Sequence, residues 1–388
     1  MCTNGTDGGA HARAARGSAE AEAAGARDRG AGLAARPCAS MDPACALPTS
    51  GADGDRELSL FIFNTDVHLH AYAPDGADVR EASVQAQLDE ALIACRERCR
   101  YFEAHFSRTR SDSDIARARA CAPEPVAIAP ETAEVLRLAR GYCERSGGRF
   151  DITMGTVTSL WDFHRGIVPS RLALARACEH VGMDRFVVDE REPGVPTLAI
   201  TDTATVLDVG GIAKGYIADD LGRLLEGRGI HRFALNLGGN VLVRGGRSAD
   251  AASRPPVRAG DPWRIGIVNP LDPAHMRAIV DVTDGSVVTS GLHERRFTRG
   301  GVSYHHILSP CDGMPVRTDV TSATIVAARS LDCDGYSTTA LMMGADAAIE
   351  MTERLDGIEA VVIDDRDEVH WTSGLEDRLS LVPTLPRW

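Results

Sequence analysis

The sequence is poor in the features that identify several large protein classes. Its 388 residues carry 42 basic and 55 acidic side chains, a net charge of -13. No basic footprint for nucleic acid is therefore present. No run of about 18 apolar residues occurs, so no membrane-spanning helix is expected. The ten cysteines include no CxxC pair, which excludes a zinc ribbon or thioredoxin-type site and suggests no disulfide framework. Neither a Walker loop nor a GxGxxG fingerprint is found. Lysine is nearly missing: Lys214 is the one lysine among the 42 basic residues. An arginine bias accounts for the rest but not for this exception, since a lysine offers a compact point charge that the arginine fork does not.

Residues 1–50 hold 15 Ala and 7 Gly and no Ile, Val, Phe, Tyr or Trp. Such a segment buries too little apolar surface to offset its ordering entropy. Residues 1–55 are expected to be a disordered leader and 56–388 the catalytic domain. No apolar core of 7–15 residues follows the start, so a signal peptide is not expected. The cytoplasm is the expected location; a periplasmic or membrane-anchored one is the alternative if the start is misassigned.

In the folded part, Leu58 to Tyr72 alternates as a strand. Val84 to Phe106 reads as an amphipathic helix on which Cys95 and Cys99 belong to the apolar face. Ser111 to Asp114 signals a helix start, and Pro130 to Ser146 a further helix. Thr205 to Asp208 reads as a strand, Ile212 to Leu225 as a helix and Phe233 to Leu237 as a strand. Further strands are expected at Trp263 to Val268, Ala278 to Val282, Ala323 to Ala327 and Glu359 to Ile363, with a helix over Asp334 to Met343. The order is mixed, without a βαβ repeat, so the expected class is α+β.

Four segments could carry chemistry. In Asp208-Val209-Gly210-Gly211-Ile212-Ala213-Lys214, a strand, a glycine turn and a helix start offer N–H groups and one lysine to an anion; a plain strand–turn–helix connection is the competing reading. Asp334 and Thr338 share a helix face, and carboxylate plus hydroxyl suit Mg²⁺; alternatively Asp334 only caps its helix. Asn236 to Asn240 contains a second glycine turn, Gly238-Gly239. Thr289 to Pro310, with Glu294 and the pair His305-His306, reads as a site or as an ordinary hairpin.

Taken together and in this order, these segments resemble the ApbE-type family of FAD:protein FMN transferases, from near Phe63 to the last strand. The Asp208 and Asp334 runs are the most specific. The resemblance implies an ApbE-like, T-fold-related catalytic unit that splits FAD, attaches FMN through a phosphoester to a Ser or Thr hydroxyl of a partner flavoprotein and releases AMP. It implies Mg²⁺ held by Asp334, Thr338 and the Gly211 carbonyl. Asp208, Gly210, Lys214 and His306 would lie along FAD, with Gly238 and Gly239 nearby. Phe63 and Thr153, Met154 and Gly155 would line its pocket. Asp208, Lys214, His306 and Asp334 would be the catalytic set, with the general base left open among Asp208, Asp334 and another carboxylate. Departures are Phe63-Asn64-Thr65 for Met-Gly-Thr, Ser309-Pro310 for Asp-Pro, Cys311-Asp312 for Arg-Thr, and His293 for an aromatic. An FAD pyrophosphatase and a non-catalytic FAD-binding protein are the alternative functions.

Overall fold

The computed structural model describes residues 45–51, 55–74, 76–78, 80–192, 194–247 and 256–383. Most of the expected leader, residues 1–44, lies outside them. In chain order, β1 (Thr49–Ser50), β2 (Arg56–Ile62) and β3 (Thr65–Ala71) precede α1 (Ala82–Phe106) and α2 (Asp114–Cys121). Then come β4 (Val126–Ala127), α3 (Pro130–Arg145), α4 (Gly155–Thr158), α5 (Arg171–Cys178), β5 (Phe186–Asp189) and β6 (Thr197–Ile200). Helix α6 (Ala213–Glu226) leads to β7 (Phe233–Leu237), β8 (Asn240–Arg244), β9 (Trp263–Asn269), β10 (Asp272–Val282) and β11 (Gly285–Gly291). The chain ends through β12 (Arg296–Arg299), β13 (Val302–His305), β14 (Val320–Ala327), α7 (Ser330–Met343), α8 (Ala345–Glu353), β15 (Ile358–Asp364), β16 (Val369–Trp371) and β17 (Leu379–Leu381).

The class is α+β. A nine-stranded sheet runs β1-β2-β3-β7-β8-β11-β14-β15-β16, and its named pairs are antiparallel. One face packs against helices: Leu58, Leu60, Val67 and Leu69 of the sheet share a core with Leu88, Leu92, Cys95 and Cys99 of α1 and Ile217 and Leu221 of α6. Burial of these side chains every second residue on the strands and every third or fourth on α1 follows from the two backbone periods. The other face carries Ala234, Val287 and Val361 against Trp263, Ile267 and Val280 of the small β9-β10-β17 sheet. The thiols Cys95 and Cys99 are core: burial pushes Cys95 up to about 12 and Cys99 well above its ordinary value. Among the described residues no helix is long and apolar enough to cross a membrane.

The structure departs from the expected elements in four places. The expected strand over Leu58 to Tyr72 is a hairpin, turned by Phe63 (φ 57°) and Asn64 (φ 60°), with Ile62 opposite Thr65. Two consecutive positive φ values define a type I′ turn, for which Asn is a favoured residue and Phe is not. Thr205 to Asp208 forms no ladder; it is tied in by one parallel bridge, Met154 to Val206. Helix α7 starts at Ser330, a turn ahead of Asp334, because the Asp219 carboxylate of α6 accepts the Ser330 and Leu331 N–H groups. Asp334 is thus inside the helix and caps nothing. Finally, part of the expected leader joins the fold: Ala46 is buried, its carbonyl accepts from Arg96, and Thr49 and Ser50 pair with Glu57 and Arg56.

Candidate active site

Helix α7 lies between the sheet and α6, so its middle is buried on nearly every side. Asp334 is 5% exposed, and its Oδ2 accepts the Gly215 N–H at 2.9 Å. A Cβ on Gly215 would come within 2.5 Å of the Ser330 carbonyl and 2.8 Å of Asp334 Cβ, so only glycine permits this crossing. Burial pushes the Asp334 carboxyl above the usual range; Lys214, the Gly215 N–H and Asn240 pull the other way. One turn on, the Thr338 hydroxyl lies 3.1 Å from Ser290 Oγ, itself 2.9 Å from Ser337 Oγ.

Lys214 occupies the first turn of α6, next to the glycine that holds Asp334. Among the described residues it forms no ion pair, though it lies near enough to Asp334 and Glu294 to pull down both of their pKa values. Gly211 joins this group by chain continuity, three residues ahead of Lys214. Asp208 accepts the Gly210 N–H at 2.9 Å, fixing the turn, and its other oxygen is 3.3 Å from Arg108.

Thr153, Met154 and Gly155 lie beneath that turn. Ile152 accepts the Asp208 N–H, and a Cβ on Gly155 would meet the Val206 carbonyl at 2.4 Å. The Thr153 hydroxyl is fully buried, donating to Asp151 and accepting from Gly182, so it holds the loop together. The Gly238-Gly239 turn sits at the same end as the Phe63-Asn64 turn: Gly238 N–H donates to Asp66, and a Cβ there would lie 2.2 Å from Thr65 Oγ1. Asn240, the next residue, is buried beside Asp334.

The ribbon of β12 and β13 closes the remaining side. Glu294 and Arg295 precede it and His306 follows it, with Arg296 opposite His305 and the His306 N–H bonded to the Arg295 carbonyl. His306 Nε2 lies 3.9 Å from Glu294 Oε2. Its Nδ1 is buried without a hydrogen-bond partner. Burial, aided by Arg295, pushes His306 down to about 4, so the ring is neutral at pH 7. Partial burial raises the Glu294 carboxyl, Lys214 opposes it and Asp334 adds to the rise.

Of the expected set, Lys214, Asp334 and Thr338 meet at the α6–α7 crossing, His306 is tied in through Glu294, and Asp208 braces the glycine turn against Arg108. Ser290, Asn240 and Glu294 lie in segments the sequence marks as candidates, but their individual places there come only from the fold. A buried carboxylate with no ion pair among the described residues and hydroxyls one turn away are hard oxygen donors that fit Mg²⁺, and the nearby lysine ammonium fits phosphate oxygens. Among the described residues, the one cluster of three carboxylate or imidazole ligand atoms is Asp364, Glu368 and His370. It closes a turn: Asp364 accepts from the Arg366 and Glu368 N–H groups and bonds His370.

Comparison with known proteins identifies the family. The ApbE family model matches residues 63–362. A protein named FAD:protein FMN transferase from Treponema pallidum is 33% identical over 307 residues, covering 78% of this chain and 83% of its own. One of the same name from Salmonella typhimurium is 28% identical, covering 66% and 72%. The crystal structure of the ApbE protein from Thermotoga maritima aligns with a TM-score of 0.70 at 25% identity, over 84% of this chain and 99% of that one. The flavin transferase ApbE from Vibrio cholerae gives 0.68 at 22% identity, over 86% and 99%, a likeness of fold.

Proposed function

The chain belongs to the ApbE family and is a transferase, and from that premise we propose that it moves FMN from FAD to a hydroxyl of a partner flavoprotein. In this reading the Ser or Thr oxygen of the acceptor attacks the FMN-side phosphorus. The anhydride bond breaks, AMP leaves with the bridging oxygen, and the hydroxyl proton passes to a carboxylate. Asp334, Thr338 and the Gly211 carbonyl would hold Mg²⁺, which supplies charge neutralisation on non-bridging phosphate oxygens.

The chain's own residues do the rest. Lys214, free of an ion pair among the described residues, presents its ammonium to the diphosphate beside the helix start. A neutral His306, kept so by burial, can accept a hydrogen bond from substrate or acceptor. Glu294, 3.9 Å from His306 and half-exposed, is a solvent-accessible carboxylate that would serve as the proton acceptor in this reading. The observation that carries the reading is the buried Asp334, without an ion pair among the described residues and held by the N–H of the residue after the only lysine. The experiment is incubation with FAD, Mg²⁺ and a Ser/Thr-bearing flavoprotein, followed by mass spectrometry and AMP quantification. A mass gain of one FMN with stoichiometric AMP supports transfer; FMN and AMP without protein labelling would make the enzyme a hydrolase.

A further inference from the structure

The β12–β13 ribbon pairs with no other strand among the described residues. Its inner face is held by rings: Phe297 stacks on Tyr304 at 5.2 Å, Trp161 on Phe163 at 5.5 Å, and the two pairs meet at 5.9 Å. The tip turns through Gly300 and Gly301, both at positive φ, with Arg299 opposite Val302. Against this tip lies the 162–168 loop. Gly166 abuts Phe297, where an added Cβ would be 3.3 Å from the ring, and Arg299 donates to the Gly166 carbonyl.

The groove between them is lined by His164, Arg165, Ile167, Phe297 and Arg299, among others, and no carboxylate lines it. Ile167 and Val302 are exposed at 44% and 51%, and the Arg165 side chain at 81%. The nearest acid, Asp162, is 3.7 Å from Arg165 and spends one oxygen on the His164 and Arg165 N–H groups. A cationic, apolar groove on a chain of net charge -13 is a local reversal of sign. Strand β13 leads from the ribbon tip back towards His306. Four residues of extended strand, about 13 Å, separate Val302 at the tip from His306 at the base.

We propose that this groove docks the acceptor protein, through a segment carrying carboxylates and one aliphatic side chain about four residues from the hydroxyl that receives FMN. The proposal rests on the transferase reading and names its protein substrate by chemistry. Arg165 and Arg299 meet the carboxylates; Ile167 and Phe297 meet the aliphatic side chain. Complementary charge steers the encounter and suppresses wrong partners.

The probe is a fluorescein-labelled peptide of about twelve residues containing one Thr, a Leu and two Asp, with a control in which both Asp are Lys. Anisotropy is read with the full chain in FAD and Mg²⁺. The expected result is binding of the acidic peptide only. Arg165→Glu combined with Arg299→Glu should weaken it about tenfold or more, while FAD titration by flavin fluorescence stays unchanged. Ile167→Glu should weaken it separately. Equal binding of both peptides, or undiminished binding by the variants, overturns the proposal. So does finding that the double variant instead loses binding to phosphatidylserine vesicles or loses self-association in sedimentation. If wild type binds the acidic peptide but never releases AMP from FAD, the docking surface stands and the transferase reading falls.

Discussion

The Gly215 N–H donates to Asp334 Oδ2 at 2.9 Å, joining the first turn of α6 to the middle of α7. Because Lys214 precedes that glycine, one bond sets the spacing between the lysine and the buried carboxylate. Two parts of the site that are 120 residues apart in the chain move as one.

Replacing Asp334 tests the metal role. Asp334→Asn keeps the shape and the Gly215 bond but removes the charge, and turnover measured by AMP release should fall about a hundredfold or more. Thr338→Ala should be milder, because water can replace a neutral hydroxyl ligand, and Thr338→Val at least as damaging. Wild-type AMP release by Asp334→Ala with Mg²⁺ would remove the assignment.

Lys214→Arg separates a codon habit from a functional need. The guanidinium is larger and forked, and the glycine beside it leaves the helix start close to α7. FAD affinity or AMP release should fall, and further for Lys214→Met, by about ten- to a hundredfold. Equality of Lys214→Arg with wild type in both assays would make the lysine incidental.

Gly215→Ala places a methyl against the Ser330 carbonyl and Asp334 Cβ, neither of which is the end of a flexible side chain. The helices must separate, at a cost of about 1–3 kcal/mol. Calorimetry should show a lower Tm, with reduced AMP release because Asp334 shifts. An unchanged Tm would mean that the crossing is looser than described.

His306 sets a pH dependence. Its folded pKa, about 4, lies below the ordinary 6.5. Between those values the unfolded chain binds a proton that the folded chain excludes. Stability should therefore decline as pH falls from 6.5 towards 4, by at most about 3 kcal/mol from this group. Urea midpoints across that range should flatten in His306→Gln; an identical slope in the variant would show that other groups carry it.

Removing residues 1–44 should leave the Tm unchanged, whereas removing 1–55 should lower it. The longer cut deletes buried Ala46, the Arg96 to Ala46 bond and the pairing of Thr49 and Ser50. Equal melting of the two truncations would make that edge pairing dispensable.

The class, the core face of α1 and the two glycine-marked runs were legible because each rests on local periodicity or on turn chemistry. The Phe63-Asn64 turn was not, since a phenylalanine at positive φ contradicts local preference and is imposed by the flanking ladder. The early start of α7 was hidden because its cap, Asp219, is supplied by another helix. Glu294 and Asn240 acquire meaning only when the ribbon and the β7–β8 turn deliver them to Asp334. The resemblance singles out Asp334, Thr338 and Lys214, but no short-range pattern announces that Asp208 is tied to Arg108, 100 residues earlier in the chain.

The self-paired ribbon divides the enzyme's evolutionary freedom. Its tip shares no backbone ladder with the large sheet, so substitution at Arg299 or Val302 leaves the strand pairing around α7 untouched. Change at the tip and the facing loop is thereby uncoupled from the buried α6–α7 crossing, whose bond from Gly215 to Asp334 lies outside the ribbon's ladder.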